Sequence, residues 1–130
     1  MTRTILLAAA LALTAGGCGD PKPLAMAGTP ESSRGALTAA LDGWKAGKSF
    51  QDLIGQSPSL IFQDDDLMRG TKLLDYQVEG DGKPLGTGYS YVVTLTLQDK
   101  DGAKPPAKKK VAYTAVTEPK HAVTREDRQP

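Results

Sequence analysis

The segment 89–98 constrains the fold more than any other part of the sequence, because large apolar residues occupy every second position. These residues are Tyr89, Tyr91, Val93, Leu95 and Leu97. Hydroxyl-bearing side chains fill most of the positions between them. A period of two places alternate side chains on opposite faces of a strand, so the pattern predicts a β-strand with one buried face. The chain must therefore supply neighbouring strands and an apolar layer that covers this face.

Three further segments have strand-like patterns bounded by Gly, Pro or Asp residues. They are the alternating residues 74–79, the residues 111–117 and the short segment 122–125. Residues 80–88 are rich in glycine and predict a connection between two strands. A short apolar run at 60–62 precedes them all. The sequence thus predicts a meander of about four strands, which favours an antiparallel sheet.

A helix is predicted before the strands, over about residues 30–46. The Thr-Pro-Glu triplet at 29–31 matches a capping residue, a proline at the first helical position and an acid in the first turn. Apolar residues then recur at helical spacing up to Trp44, and Gly47 is a suitable stop. We expect this apolar stripe, with Trp44 as its largest member, to pack on the apolar face of 89–98.

These elements together predict an α+β domain in which one N-terminal helix packs on a curved antiparallel sheet of about four strands. The order of elements resembles that of the cystatin-like and nuclear-transport-factor-like folds, in which a curved sheet cups an N-terminal helix. The resemblance extends over about 95 residues and lies in element order alone, without a sequence motif. It therefore implies a fold and transfers no functional residue.

Residues 1–17 have the features of a cleaved secretory signal peptide. A short head containing Arg3 precedes an apolar run over 5–15, and small residues lead to Cys18. The apolar run is shorter than the roughly 20 residues that span a bilayer. The segment resembles the lipobox of bacterial lipoproteins, in which the cysteine is acylated and becomes the mature N-terminus. Ala15 departs from this pattern, because Leu is commonest at its position.

The lipobox resemblance implies export, cleavage before Cys18 and attachment to a membrane through lipid on that cysteine. The expected organisation is a signal peptide over 1–17, a lipidated cysteine with a flexible tether over 18–29, and one α+β domain over 30–130. Gly19 follows the cysteine, whereas an Asp there favours inner-membrane retention in the best-known sorting rule. We therefore expect a lipid-anchored protein of the cell envelope, in the outer rather than the inner membrane.

Composition and motif spacing argue against several function classes. A net charge of +1 gives no reason to expect a nucleic-acid partner. His121 is the only histidine, and Cys18 is the only cysteine, so the usual zinc sites and nucleophile–base pairs lack their residues. Residues 43–49 resemble the end of a phosphate-binding loop, but three residues rather than four separate the glycines, and the segment closes a helix. No cofactor is expected.

The acidic run 64–66 is the densest group of carboxylates in the sequence. Calcium takes about six to eight oxygen ligands, but the spaced ligands and the glutamate of a calcium loop are missing here. We interpret the run as a solvated turn whose acids cap a short helical turn at 67–69. Asp75 and Tyr76 are adjacent in a predicted strand, so they point to opposite faces and cannot share one pocket.

The sequence favours a non-catalytic envelope lipoprotein whose domain binds an envelope protein or a small ligand, or is structural. The alternative is a small acid–base enzyme of isomerase or hydratase type, with its acids inside the cup of the sheet. A buried Asp75 in an apolar pocket favours the enzyme, and a solvated Asp75 favours the binding module. Lys104 and the lysine run 108–110 form a basic patch that suits anionic headgroups, or more simply a charged strand end that discourages aggregation.

Overall fold

The computed structural model describes residues 28–126, which form an α+β domain as predicted. Its elements, in chain order, are α1 (Pro30–Lys45), α2 (Phe50–Gly55), β1 (Leu60–Gln63), α3 (Asp65–Met68), β2 (Lys72–Leu85), β3 (Gly88–Gln98), β4 (Ala107–Val116) and β5 (His121–Arg125). The predicted signal peptide, Cys18 and most of the predicted tether lie outside the described residues. Within residues 28–126, none of the helices has the length and apolar character that crossing a membrane requires.

Helix α1 begins as the sequence predicts. The Thr29 side chain accepts a hydrogen bond from the Ser32 backbone N–H at 3.0 Å, and the Thr29 backbone N–H donates to Ser32 Oγ at 2.9 Å. This reciprocal capping box satisfies backbone donors that have no partner within the helix, and Pro30 occupies the first helical position without losing a bond. The helix ends at Lys45, next to the predicted end.

The sheet has five strands in the order β1-β5-β4-β3-β2. Strands β2 to β5 form the predicted antiparallel meander, but β1 pairs with β5 in parallel. The prediction of about four strands in a purely antiparallel sheet is therefore wrong. The apolar run 60–62 is the missing strand, and its partner β5 lies at the other end of the domain's sequence. Local periodicity carries no information about such a distant pairing.

Strand β2 differs from its predicted form in extent and in the face it buries. Residues 80–85 belong to β2, so the predicted connection over 80–88 shrinks to a tight turn at Gly86 and Thr87. The pairing of β2 with β3 also shifts between Leu73 and Asp75, as in a β-bulge. An extra residue reverses the inward and outward positions, so Leu73 is buried while Leu74 is 42% exposed.

Helix α1 covers one face of the sheet and forms the core with it. Trp44 is 3% exposed, its Nε1 donates to the Thr71 carbonyl at 2.8 Å, and its ring contacts Phe62 of β1 edge-on at 5.9 Å. At the other end of α1, the Tyr91 hydroxyl lies 2.6 Å from Ser33 Oγ. The predicted packing of α1 on β3 is confirmed, and the ring against Trp44 comes from the strand that was not predicted.

Candidate functional site

A cluster of buried polar side chains forms where β1, β5 and β4 lie side by side. On β1, the buried residues Leu60 and Phe62 alternate with outward ones, and Asp64 continues the buried series just after the strand. On β5 and β4, Arg125 and Tyr113 are directly opposite each other in the register. The alternation and the register therefore bring a carboxylate, a guanidinium and a phenol together at one level of the sheet.

Asp64 accepts hydrogen bonds from side chains and from the backbone. The Tyr113 hydroxyl donates to Asp64 Oδ2 at 2.5 Å, and Arg125 Nη1 lies 3.3 Å from Asp64 Oδ1. The backbone N–H groups of Asp66 and Leu67 donate to the same Oδ1 at 2.7 and 3.1 Å. The Asp64 side chain is fully buried, and these bonds replace the water that it has lost.

Asp66 accepts hydrogen bonds from three cationic side chains. Arg125 Nη1 lies 2.5 Å from its Oδ2, Arg69 Nη2 lies 2.5 Å from its Oδ1, and Lys109 Nζ lies 3.4 Å from Oδ2. Its side chain is 8% exposed. The sequence interpretation of the run 64–66 is thus half right, because Asp64 does cap α3. The prediction that these acids are solvated is wrong for Asp64 and Asp66, since cations and a phenol offset the cost of their burial.

The cluster fixes the charge states of Asp66 and Tyr113. Burial raises the pKa of the Asp66 carboxyl, but hydrogen bonds from Arg125 and Arg69 and the positive charges of Arg125 and Lys109 outweigh burial and lower the pKa to about 2. Burial, together with the charge and hydrogen bond of Asp64, raises the pKa of Tyr113 far above its ordinary value. Asp66 is therefore ionised and Tyr113 protonated across the physiological pH range.

The arrangement is that of a structural ion cluster, because its polar groups bind one another. In the part of the chain that the structure describes, every buried side-chain nitrogen or oxygen has a hydrogen-bond partner. No group of three or more His, Cys, Asp and Glu side chains is placed to hold a metal ion among residues 28–126. Asp64 and Asp66 contact guanidinium groups, which occupy the positions that a cation would need.

A cleft of about 420 Å³ opens beside Asp66. Its lining comprises Asp66, Arg69, Thr71, Leu97, Asp99, Lys104, Pro105, Ala107, Lys108 and Lys109. We call it the basic cleft, because four of these side chains are cationic and two are acidic. Arg69 and Lys109 are 67% and 47% exposed, so both present charge to solvent while they contact Asp66.

A second cavity, of about 400 Å³, lies beside the basic cleft, and Thr71 lines both. Trp44 and Leu73 lie in its wall together with the segment 45–49. Trp44 lies in the last turn of α1 and donates to the carbonyl of Thr71, so both cavities lie near the C-terminal end of this helix. The chain enters the described domain at Gly28, next to the N-terminal end of the same helix.

The structure separates Asp75 and Tyr76, as their adjacency predicts. Asp75 is 72% exposed and lies 3.5 Å from Lys45 Nζ. The Tyr76 hydroxyl donates to Asp42 Oδ1 of α1 at 2.6 Å. Partial burial, together with the hydrogen bond and charge of Asp42, raises the pKa of Tyr76 to about 12. Neither residue lies in a buried acid–base pocket.

The remaining candidate residues are dispersed over the domain. Tyr89 and Tyr91 belong to the core, and His121 is half-buried at the start of β5. The lysine run divides between the two faces of β4, because Lys109 reaches Asp66 whereas Lys110 pairs with Glu79 at 3.3 Å. Cys18 lies outside the described residues.

Sequence reasoning did not find the partnership of Asp64, Tyr113 and Arg125. A signal was present, because Asp64 lies two residues after Phe62, and Arg125 lies two residues after Val123. Extending each buried alternation by one step places both side chains inward. Only the parallel pairing of β1 with β5 brings them together, and that pairing was not predicted.

No protein-family model, curated protein or solved structure gives a significant match to this chain, so its function is argued from geometry and sequence.

Proposed function

We propose that the protein is a lipid-anchored, non-catalytic binding module of the bacterial cell envelope. The anchor is proposed from the sequence, in which an apolar run and small residues lead directly to Cys18. Residues 19–29 then separate this cysteine from the first helix, and extended chain spans about 3.3 to 3.6 Å per residue. Such a segment is long enough to hold the domain clear of a bilayer surface.

One observation supports the non-catalytic part of the proposal. Asp64 and Asp66 are the buried carboxylates of the described domain, and both are neutralised by cations. A general acid or base needs a proton that it exchanges near neutral pH and access to a substrate. Asp66 instead has a pKa of about 2, and Asp64 is fully enclosed by its donors. The solvated Asp75, on which the two hypotheses differ, also favours a binding module.

The position of the cavities supports a binding role. Helix α1 has sixteen residues, which corresponds to a length of about 24 Å. The chain enters at one end of this helix, and the two cavities lie at the other end. A domain tethered through residues 19–29 would then carry its cavities on the side away from the attachment point.

Incorporation of labelled palmitate in a bacterial host tests the anchor. The full chain should become labelled, and Cys18→Ser should abolish the label because the acceptor sulfur is gone. Gly19→Ser is the matched control, since it places a serine beside an intact cysteine, and it should be labelled like the parent chain. Equal labelling of parent and Cys18→Ser, or no label on the parent, would contradict the proposal.

A further inference from the structure

We propose that the basic cleft binds a small ligand through a phosphate group. This inference rests on the proposed binding function and names the ligand class. The basic cleft is lined by Arg69, Lys104, Lys108 and Lys109, and its walls come from α3 and the segment after it, the end of β3, the loop between β3 and β4, and the start of β4. The assignment is supported by the positive charges of these residues and by the ion pairs that they form or lack.

Positive charge exceeds negative charge on the Asp66 side of the cleft. The buried carboxylates of Asp64 and Asp66 both contact Arg125, which is 16% exposed and lies inside the cluster. Arg69 and Lys109 add two further cations to Asp66 from the solvent side. Two carboxylates therefore face three cations, and the excess positive charge belongs to the side chains that line the cleft.

Lys104 supplies positive charge from the loop between β3 and β4. Its ammonium group has no carboxylate within 4.0 Å among residues 28–126, and its carbonyl accepts from Gln98 Nε2 at 2.6 Å. That hydrogen bond holds the loop against the end of β3. Asp99 also lines the cleft, and its negative charge opposes an anionic ligand.

The dimensions and chemistry of the cleft fit a phosphorylated molecule larger than the bare ion. Its volume of about 420 Å³ falls in the range typical of small-ligand sites. Leu97, Pro105 and Ala107 provide apolar surface beside these charges, which suits the ligand's organic part. A guanidinium such as that of Arg69 offers paired donors to phosphate oxygens, and lysine adds a compact charge.

A phosphate group of this kind comes either from a soluble phosphomonoester or from a lipid headgroup. The experiment titrates the full chain, in a non-ionic detergent, with inorganic phosphate and with glycerol 3-phosphate. Trp44 is the only tryptophan, and its Nε1 donates to the carbonyl of Thr71, which lines the cleft. Its fluorescence should therefore change saturably, with glycerol 3-phosphate binding more tightly than phosphate because it also contacts the apolar surface.

Charge variants test the location of the site. The double variant Lys104→Gln/Lys109→Gln should bind glycerol 3-phosphate at least tenfold more weakly, and Lys104→Arg/Lys109→Arg should restore binding. Lys110→Gln is the matched control, because Lys110 neighbours Lys109 but pairs with Glu79 and does not line the cleft. Its affinity should stay within twofold of the parent. Asp99→Asn should tighten binding, because it removes the opposing charge.

Ala107→Glu provides an independent test that does not touch the ion cluster. Ala107 is exposed in the lining, so a carboxylate there should abolish binding while thermal unfolding remains near that of the parent. Absence of saturable binding to both probes, or equal loss of affinity in Lys110→Gln and the double variant, would overturn the site. The palmitate experiment is unaffected by either result, so failure of the site and failure of the anchor are distinguishable.

Mixed micelles of the same detergent with phosphatidylglycerol, and with zwitterionic phosphatidylcholine as the control, distinguish the two sources of the phosphate group. Added to the full chain, they should leave the affinity for glycerol 3-phosphate unchanged if the ligand is soluble, because the cleft lies at the end of α1 away from Gly28. Competition that disappears in the double variant would assign the phosphate to a lipid headgroup and would still support the site. Competition that persists in the double variant would contradict it.

Discussion

Asp64 shows how a residue that sequence patterns assign to a solvated turn becomes part of a core. It follows a strand directly, and acids in such positions commonly cap the next helix, as Asp64 does for α3. Its burial depends on donors that lie far away in the sequence, namely Tyr113 and Arg125. A carboxylate in this position is stabilising only while all of its donors are present, because an unpaired buried charge is costly.

Removing the Tyr113 hydroxyl should therefore destabilise the domain. Tyr113→Phe keeps the ring that packs edge-on against Phe62 but leaves Asp64 Oδ2 without its donor. We expect the free energy of unfolding to fall by about 1 to 3 kcal/mol in chemical denaturation. Tyr89→Phe is the matched control, since Tyr89 is also buried and no side-chain hydrogen bond is found for it within residues 28–126. An equal effect of the two substitutions would contradict the role given to the Tyr113 hydroxyl.

The ion cluster should also make stability depend on acid pH. The pKa of Asp66 is about 2 in the folded domain and about 3.8 when the group is unperturbed. A group whose pKa is lowered by folding contributes stability above its unfolded pKa and loses it as pH falls towards the folded value. The contribution should be about 1 to 2 kcal/mol, because Arg69 and Lys109 are partly screened by solvent.

Urea denaturation of the parent and Asp66→Asn at pH 6 and pH 2 measures this contribution. The stability difference between the two proteins should narrow by about 1 to 2 kcal/mol at the lower pH. Asp65→Asn serves as the control, because Asp65 is exposed and makes no ion pair within the described domain. A difference that stays constant between the two pH values would show that Asp66 is not held ionised by its partners.

At the level of helices and strands, the sequence predicts the features that depend on residues close together in the chain. The N-cap of α1 at Thr29, its apolar stripe, the alternation of β3 and the order of β2 to β5 all follow from local patterns. The parallel pairing of β1 with β5 does not, because its partners are about sixty residues apart. A period of two also gives no sign of the bulge near Leu73. Alternation places Leu74 on the same face as Tyr76 and Val78, whereas the bulge leaves it exposed.

The basic cleft also combines features that the sequence predicts with features that depend on distant pairing. The charges of the lysine run are evident in the sequence, but their separation onto opposite faces of β4 requires the register. The basic cleft itself is assembled from segments that are distant in the chain, so no single sequence motif predicts it. Local patterns do indicate which face of a strand each residue is on. Applied to β1, they would have placed Asp64 inward if β1 had been recognised as a strand.

Two glycines of α1 allow a test of how the helix packs. A Cβ at Gly35 would meet no atom within 4 Å, whereas a Cβ at Gly43 would lie 2.6 Å from Leu53 Cδ2 of α2. Alanine has the higher helix propensity, so Gly35→Ala should raise the free energy of unfolding by about 0.5 to 1 kcal/mol. Gly43→Ala should lower it by about 1 to 3 kcal/mol, because Leu53 is fully buried and must shift. Equal effects in thermal unfolding would contradict the close approach of α1 and α2.

At the scale of the whole molecule, the domain has two distinct ends. The chain enters at Gly28 beside the start of α1, and both cavities lie where α1 ends. The core between them is filled by α1 and by aromatic side chains from three strands, which include Phe62, Tyr91 and Tyr113. This geometry suits a domain that is held at one end and open to a ligand at the other. The proposed anchor at Cys18 would hold the domain at the end where α1 begins.

The mass of the intact mature protein, purified from bacterial membranes, tests the proposed anchor most directly. We expect a chain that begins at Cys18 and carries the added mass of two or three fatty acyl chains, with the modification confined to the N-terminal peptide after digestion. Two or more acyl chains are needed because a single chain gives only marginal membrane attachment. A mature protein with an unmodified thiol at Cys18, or one cleaved at another position, would contradict the account.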